Sequence, residues 1–238
     1  MEALKVLKRL EEYPTFNVTT IASIIGKDAA YAKVYLNRLK NKGIVQQLQR
    51  NVYTVQDDPL VIASHVVWPS YISLWAALRY HNLTEQIPNK ISVVTTRAKN
   101  RRSISTKNTM IIFERIRPSC FFGFSKIRIR DFEIFMAEPE KALIDAILLK
   151  RISTTEVYSM LKVNLNAVSV ERIVNYVKRT QHRSLAKRFG WMLNSLGYKT
   201  AEELEKMTYK TMIPLDYSRP VSGREDKKWG IIVNIGRV

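Results

Sequence analysis

Along the first part of the chain the apolar positions recur every three or four residues, and then the period changes. In residues 2–12, Leu4, Leu7 and Leu10 fall three apart with Ala3 and Val6 beside them, while Glu2, Lys5, Lys8, Arg9, Glu11 and Glu12 carry charge. That pattern predicts a helix with one apolar stripe, stopped by Pro14. Thr19 or Thr20 can cap a short second helix bearing Ile21, Ala22, Ile24 and Ile25. Gly26, which accepts a left-handed turn at low cost, ends it. Asp28 caps a third helix with Ala32, Leu36 and Leu39 on its inner face, and Lys40, Lys42 and Gly43 close it. Residues 44–48 and 52–55 then form two short β segments around the polar tip Gln49-Arg50-Asn51, a hairpin. Three helices and a hairpin are the element order of a winged helix-turn-helix, with Asp57-Asp58-Pro59 as its boundary.

Beyond that boundary the pattern is mixed. An apolar segment covers residues 60–68, and residues 70–81 show helical spacing with Ile72, Trp75, Ala76 and Leu78 inward. Strands are expected at 91–96, 110–113, 126–130 and 132–136, with a basic loop at 97–102. In the 126–130 segment, cations alternate with isoleucines, which sets Lys126, Arg128 and Arg130 on one sheet face. From Glu138 onward helices dominate: one opened by Pro139 and Glu140, then 154–161, 170–178 and 184–196. A final short helix has Thr200 and Glu203 as a capping box. A polar loop at 220–228 precedes Trp229 and a last strand at 231–235. The expected fold class is therefore α+β. A winged helix-turn-helix occupies residues 1–58, and a larger mixed α/β domain with a small sheet and a helical segment occupies residues 59–238.

Composition narrows the function. With 46% hydrophobic and 25% charged residues, the 238-residue chain is globular rather than disordered. Its formal net charge of +18 calls for an anionic partner, nucleic acid ahead of a membrane surface. The single cysteine, Cys120, sits in an apolar run and is expected in the core, as a reducing compartment permits. No apolar stretch approaches the roughly 18 to 20 residues needed to span a bilayer, and a cytoplasmic location is expected.

The chemistry points to binding rather than catalysis. On the third helix, Ala30, Tyr31, Lys33, Val34, Asn37 and Arg38 face outward. The small residue near its start lets the helix sit deep in a major groove, where Tyr31 and Asn37 can reach base edges. Lys33, Arg38 and Lys40 are long enough for phosphates or guanine, with Lys27 just before the helix and Arg50 and Asn51 at the hairpin tip. Residues 1–58 nevertheless hold only nine Lys and Arg against six Asp and Glu. Arg101 and Arg102 in the basic loop, the Lys126/Arg128/Arg130 face, and Lys178, Arg179, Arg183, Lys187 and Arg188 are thus candidate phosphate contacts. A hairpin-bearing helical domain used only for protein contacts is the competing reading. A nuclease is disfavoured: Asp131 and Glu133 precede Glu138, Glu140 and Lys141 at the wrong spacing for two carboxylates on adjacent strands. His65, His81 and His182 are isolated, and neither a metal site nor a cofactor site is expected.

Three strings carry a resemblance: residues 71–88, ending Leu-Thr-Glu-Gln-Ile-Pro; the strand beginning at Ile91; and Ala-Glu-Pro-Glu-Lys-Ala-Leu-Ile-Asp at 137–145. Together with the N-terminal element order and a tail bearing Trp229 and Asn234, they make nearly the whole chain resemble the AbiEi-type antitoxin regulators. The resemblance implies a non-enzymatic repressor that binds the operator of its own promoter as duplex DNA, with a dimer on the DNA among the expected arrangements. It also implies an antitoxin that opposes a nucleotidyltransferase-like toxin without a stable complex, the activity residing in a basic C-terminal domain. A stand-alone regulator without a toxin, or a nucleic-acid-processing enzyme, are the alternatives. The matching strings themselves look structural: residues 83–88 turn the chain into a strand, Ala142, Leu143 and Ala146 face the core, and Lys141 and Asp145 pair on the surface.

Overall fold

The structure is a computed structural model that describes residues 3–99, 101–107 and 109–236; Glu2, and Asn100 of the basic loop, lie outside them. The protein is an α+β chain. Its contacts cluster into two compact units that do not divide at residue 58. One joins the residues through Ile72 with Asn89–Arg115 and Lys126–Met136; the other joins Ser73–Pro88, Ile116–Ser125 and the chain from Ala137 onward.

The first unit begins with three helices, α1 (Ala3–Glu11), α2 (Val18–Ile25) and α3 (Ala29–Asn41). The antiparallel strands β1 (Gln46–Gln49) and β2 (Val52–Thr54) follow. The apolar stripes meet in part: Val6, Leu10, Ile21, Ile24, Ala32, Leu36 and Leu39 are buried in one cluster and Leu7 packs against it, whereas Leu4, expected on the inner stripe of α1, is 65% exposed and Val6 takes the inward place. Neither Thr19 nor Thr20 caps α2. Asn17 does so, its extended backbone letting the side chain accept from Thr20 N at 2.9 Å. Gly26 ends α2 with φ of 64°, and the Asp28 carboxylate accepts from Tyr31 N at 2.8 Å to start α3.

The same unit builds a six-stranded sheet whose order is β5 (Ser103–Ser105), β6 (Met110–Arg115), β4 (Lys90–Thr95), β3 (Ser70–Ser73), β8 (Phe132–Ala137) and β7 (Phe124–Ile129). Helix α4 (Pro59–His65), capped by Asp58, covers residues expected only to be apolar, and its Ser64 hydroxyl accepts from Phe135 N on β8. Residues 70–81 are not one helix. Ser70–Ser73 form β3, with every residue buried and Ile72 paired parallel to Met136; α5 (Leu74–Tyr80) starts only after it. Trp75, Ala76 and Leu78 do lie in α5, and only Ile72 is wrongly joined to their helical spacing, because four residues buried on both faces show no alternation. Strand β5, antiparallel to β6, was hidden in the polar stretch after the basic loop.

The second unit packs α5 against α6 (Pro139–Leu148) and adds α7 (Thr154–Val163), α8 (Val170–Thr180), α9 (Arg183–Ser195) and α10 (Glu202–Glu205). A three-stranded sheet closes it, with β11 (Ile231–Val233) between β10 (Arg224–Asp226) and β9 (Ile213–Pro214). The expected Thr200/Glu203 capping box does not form; Glu203 pairs instead with Lys178 at 2.7 Å, and α10 begins without a side-chain cap. Trp229 is fully buried against α9 at Gly190, where a Cβ would fall 2.1 Å from the indole, so only glycine admits that ring. Asn234 fastens the tail: its Oδ1 accepts from Asp216 N, and its amide donates to Asp216 O, both at 2.8 Å.

The largest departure concerns Lys141 and Asp145. They pair as their spacing suggests, but neither side chain is exposed at all, so the pair is in the core and not on the surface. Packing of α6 on α5 brings Ser73 over the pair, and its hydroxyl donates to Asp145 Oδ2 at 2.9 Å. Nearby, Glu140 accepts from Ser169 N at 2.7 Å and pairs with Arg172, and Glu138 accepts from the Tyr176 hydroxyl. Burial, reinforced by the Glu138 hydrogen bond, pushes the Tyr176 phenol up to about 12. The charged residues of this string are thus structural anchors.

Candidate nucleic-acid interface

Helix α3 presents its polar side to solvent because its apolar side is fully used. With Ala32, Leu36 and Leu39 buried, the residues one half-turn away, Ala30, Val34 and Asn37, are exposed. Two flanks differ. Lys33, Val34, Asn37 and Lys40 line a groove shared with Gln47 of β1 and Tyr53 of β2, and Lys40 Nζ donates to Gln47 Oε1 at 3.3 Å. Tyr31 and Arg38 stand on the opposite flank, both exposed. Tyr31 and Val34 leave about half their surface open, 48% and 52%, and so add apolar surface to the exposed side of α3. Lys27 is exposed in the turn before α3.

The hairpin tip divides its two candidates. Arg50 is exposed and lines a notch with Gln49, Ala98, Lys99 and Arg101. Asn51 is also exposed, with φ of 58°, and its side-chain oxygen accepts from Val18 N at 3.1 Å. That oxygen thus secures the first turn of α2, while the residue itself stays exposed at the hairpin tip.

The basic loop joins the hairpin. Lys99 Nζ donates to Gln49 Oε1 at 3.2 Å and lies 4.9 Å from the centre of the Phe113 ring. The Gln49 amide in turn donates to Val66 O at 3.2 Å. Beyond β5, Lys107 Nζ donates to Gly43 O at 3.1 Å. These bonds set Arg101 beside Arg50, with Arg102 exposed next to it. Burial, then the neighbouring Arg97, lowers the Lys99 pKa. Lys107 had no local signal in the sequence; it matters only because the fold returns it to the end of α3.

The second cationic face is present but answered. Lys126, Arg128 and Arg130 are exposed in alternation as read. Lys126 pairs with Glu133 at 2.9 Å, Arg128 with Asp131 at 3.8 Å and Arg130 with Asp57 at 3.0 Å. By contrast, among the described residues Lys33, Arg38, Lys40, Arg50, Arg101 and Arg102 have no ion-pair partner. Arg101 and Arg102 lead into β5, at the edge of the six-stranded sheet opposite β7.

The C-terminal cluster disperses. Lys178 pairs with Glu203, and Arg179 stacks 4.1 Å from the centre of the Phe122 ring. Lys187 and Arg188 are buried on backbone carbonyls, Lys187 on Thr211 O and Gly230 O and Arg188 on Leu215 O and Pro214 O. Arg183 is exposed and, among the described residues, has no ion pair. Cys120 is buried as expected. His65 and His81 are bound to the backbone, at Val61 O and Ala137 O.

No protein-family model matches the chain, and no curated protein matches it significantly. Among solved structures, that of the RV2827C protein from Mycobacterium tuberculosis aligns over 97% of this chain and 90% of its own length. The TM-score is 0.65 and the identity 12%, a likeness of fold. Among the described residues, no helix is long and apolar enough to cross a membrane.

Proposed function

We propose that this chain is a DNA-binding transcriptional regulator whose α3 enters the major groove. A single observation carries the reading: on α3, the hairpin tip and the basic loop, the exposed cations have no carboxylate partner among the described residues, whereas those on β7 do. A cation left unanswered on a folded surface is available to a phosphate, and releasing its counterions drives association. Asn37 and the half-open Tyr31 and Val34 supply what phosphate contacts lack, a hydrogen-bonding amide and apolar surface for base edges and thymine methyls. The hairpin acts as the wing, and the loop tied to it by Lys99 and Lys107 widens the backbone contact. Within the resemblance to AbiEi-type regulators, the DNA is the operator of its own promoter in the cytoplasm. The chain is then an antitoxin opposing a nucleotidyltransferase-like toxin.

Fluorescence anisotropy at fixed salt tests the first part, comparing duplex from upstream of the coding sequence with a scrambled duplex. Specific binding is expected to be tighter by about a thousandfold or more; equal affinities rule out operator reading. Co-expression with a nucleotidyltransferase encoded alongside tests the second part. Relief of growth arrest without co-purification is expected, and unrelieved arrest removes the antitoxin role while leaving DNA binding intact.

A further inference from the structure

The second unit contains a cationic pocket that the duplex-reading surface does not use. Arg117, Gln181, His182, Arg183, Ser184 and Tyr209 line it. Both arginines are exposed, no carboxylate is among the lining residues, and neither arginine forms an ion pair among the described residues. The floor of the pocket is the start of α9, a 13-residue helix whose first turn has no acidic residue. A helix N-terminus carries partial positive charge and ordinarily attracts Asp or Glu; here Arg183 is the first residue. His182 holds the N-cap position without a side-chain cap bond, and its Nδ1 is buried with no hydrogen-bond partner.

The local potential agrees with this inventory. His182 is held below its ordinary pKa by burial first, and then by Arg117, Arg188 and Lys150. Two guanidinium groups and the N-terminus of α9 therefore meet at a pocket whose lining has no carboxylate. Guanidinium forks match a tetrahedral oxyanion with paired donors, and the first amides of a helix add further donors in the same direction.

We propose that this pocket binds a phosphate-type oxyanion, held by Arg117 and Arg183 over the first turn of α9 with the His182 imidazole at its edge. The site is independent of the DNA-binding reading. Its phosphate can come from a small molecule or from a nucleic-acid backbone, and the two sources are separable.

The test uses the full chain, whose three histidines give a small set of ring signals in NMR spectra. Inorganic phosphate and a nucleoside 5′-monophosphate are titrated against chloride at matched ionic strength; a short random duplex forms a third arm. The His182 ring signal is expected to move saturably with phosphate while His65 and His81 stay in place. R117Q/R183Q is expected to weaken that binding by about tenfold or more, with an unchanged melting temperature because both side chains are exposed. Movement with phosphate and monophosphate supports the site and assigns a small ligand. Movement with duplex alone, lost in R117Q/R183Q, supports it and assigns the backbone. If His182 responds to none of the three beyond the chloride control, or if R117Q/R183Q binds as well as the parent chain, the proposal is overturned.

Discussion

Lys141 and Asp145 form an ion pair one turn apart on α6 with no part of either side chain exposed, and the Ser73 hydroxyl donates to the same carboxylate. Two buried charges lose their hydration, and only tight pairing with extra hydrogen bonds offsets that loss. Lys141 also lies 5.4 Å from the centre of the Phe122 ring. The pair closes the seam between α5 and α6 within the second unit.

Removing one partner leaves the other charged and buried. K141M and D145L are each expected to lower the unfolding free energy by about 3–5 kcal/mol. The double variant should recover much of that loss, since it leaves no charge behind. Urea denaturation of the three proteins provides the check, and equal additive losses would contradict the pairing.

Asp216 gives the stability a pH dependence. Burial pushes its carboxyl up, but side-chain and backbone hydrogen bonds from Ser218 and Thr155 outweigh burial and hold it below the ordinary carboxylate range. Its folded value is thus depressed, so its contribution is complete above the unfolded value of about 4 and disappears as pH falls through the folded one. D216N keeps the shape but turns an acceptor into a donor facing Thr155. It is expected to cost about 2–3 kcal/mol at neutral pH. The gap from the parent chain should narrow as pH is lowered toward about 3. A gap independent of pH would mean that the charge on Asp216 is irrelevant.

On α3, binding and stability should separate. N37A and K33A replace exposed side chains on the hairpin flank. Each is expected to weaken operator binding by about 1–3 kcal/mol if it reads a base, with no change in melting temperature. L36A, at a buried position, should instead destabilise the fold by about 2–5 kcal/mol. Anisotropy with operator and scrambled duplexes distinguishes reader from positioner. A loss equal on both duplexes makes Asn37 a backbone contact.

The salt dependence of binding should identify which cations touch phosphate. R50A and R101A are each expected to reduce the slope of log affinity against log salt by about 0.9. R128A, whose guanidinium faces Asp131, should leave the slope unchanged. A drop for R128A as large as that for R101A would move the interface to the β7 edge.

The amphipathic period alone determined the three N-terminal helices, their buried stripes at Ala32, Leu36 and Leu39, and the exposed face of α3, because helix geometry converts sequence spacing directly into direction. The alternation at Lys126 and Arg128 likewise gave the correct sheet face, whereas Arg130 falls in the turn after β7 with φ of 53°. What sequence spacing cannot convey is which distant group arrives opposite. Only the tertiary structure decided that β7's cations meet Glu133, Asp131 and Asp57, that Asn51 secures α2, that Lys99 and Lys107 bind the basic loop to the hairpin, and that Lys141 and Asp145 are buried. The reason is physical. A charge is available or satisfied according to its surroundings in space, and burial in the second unit depends on helices contributed from far along the chain.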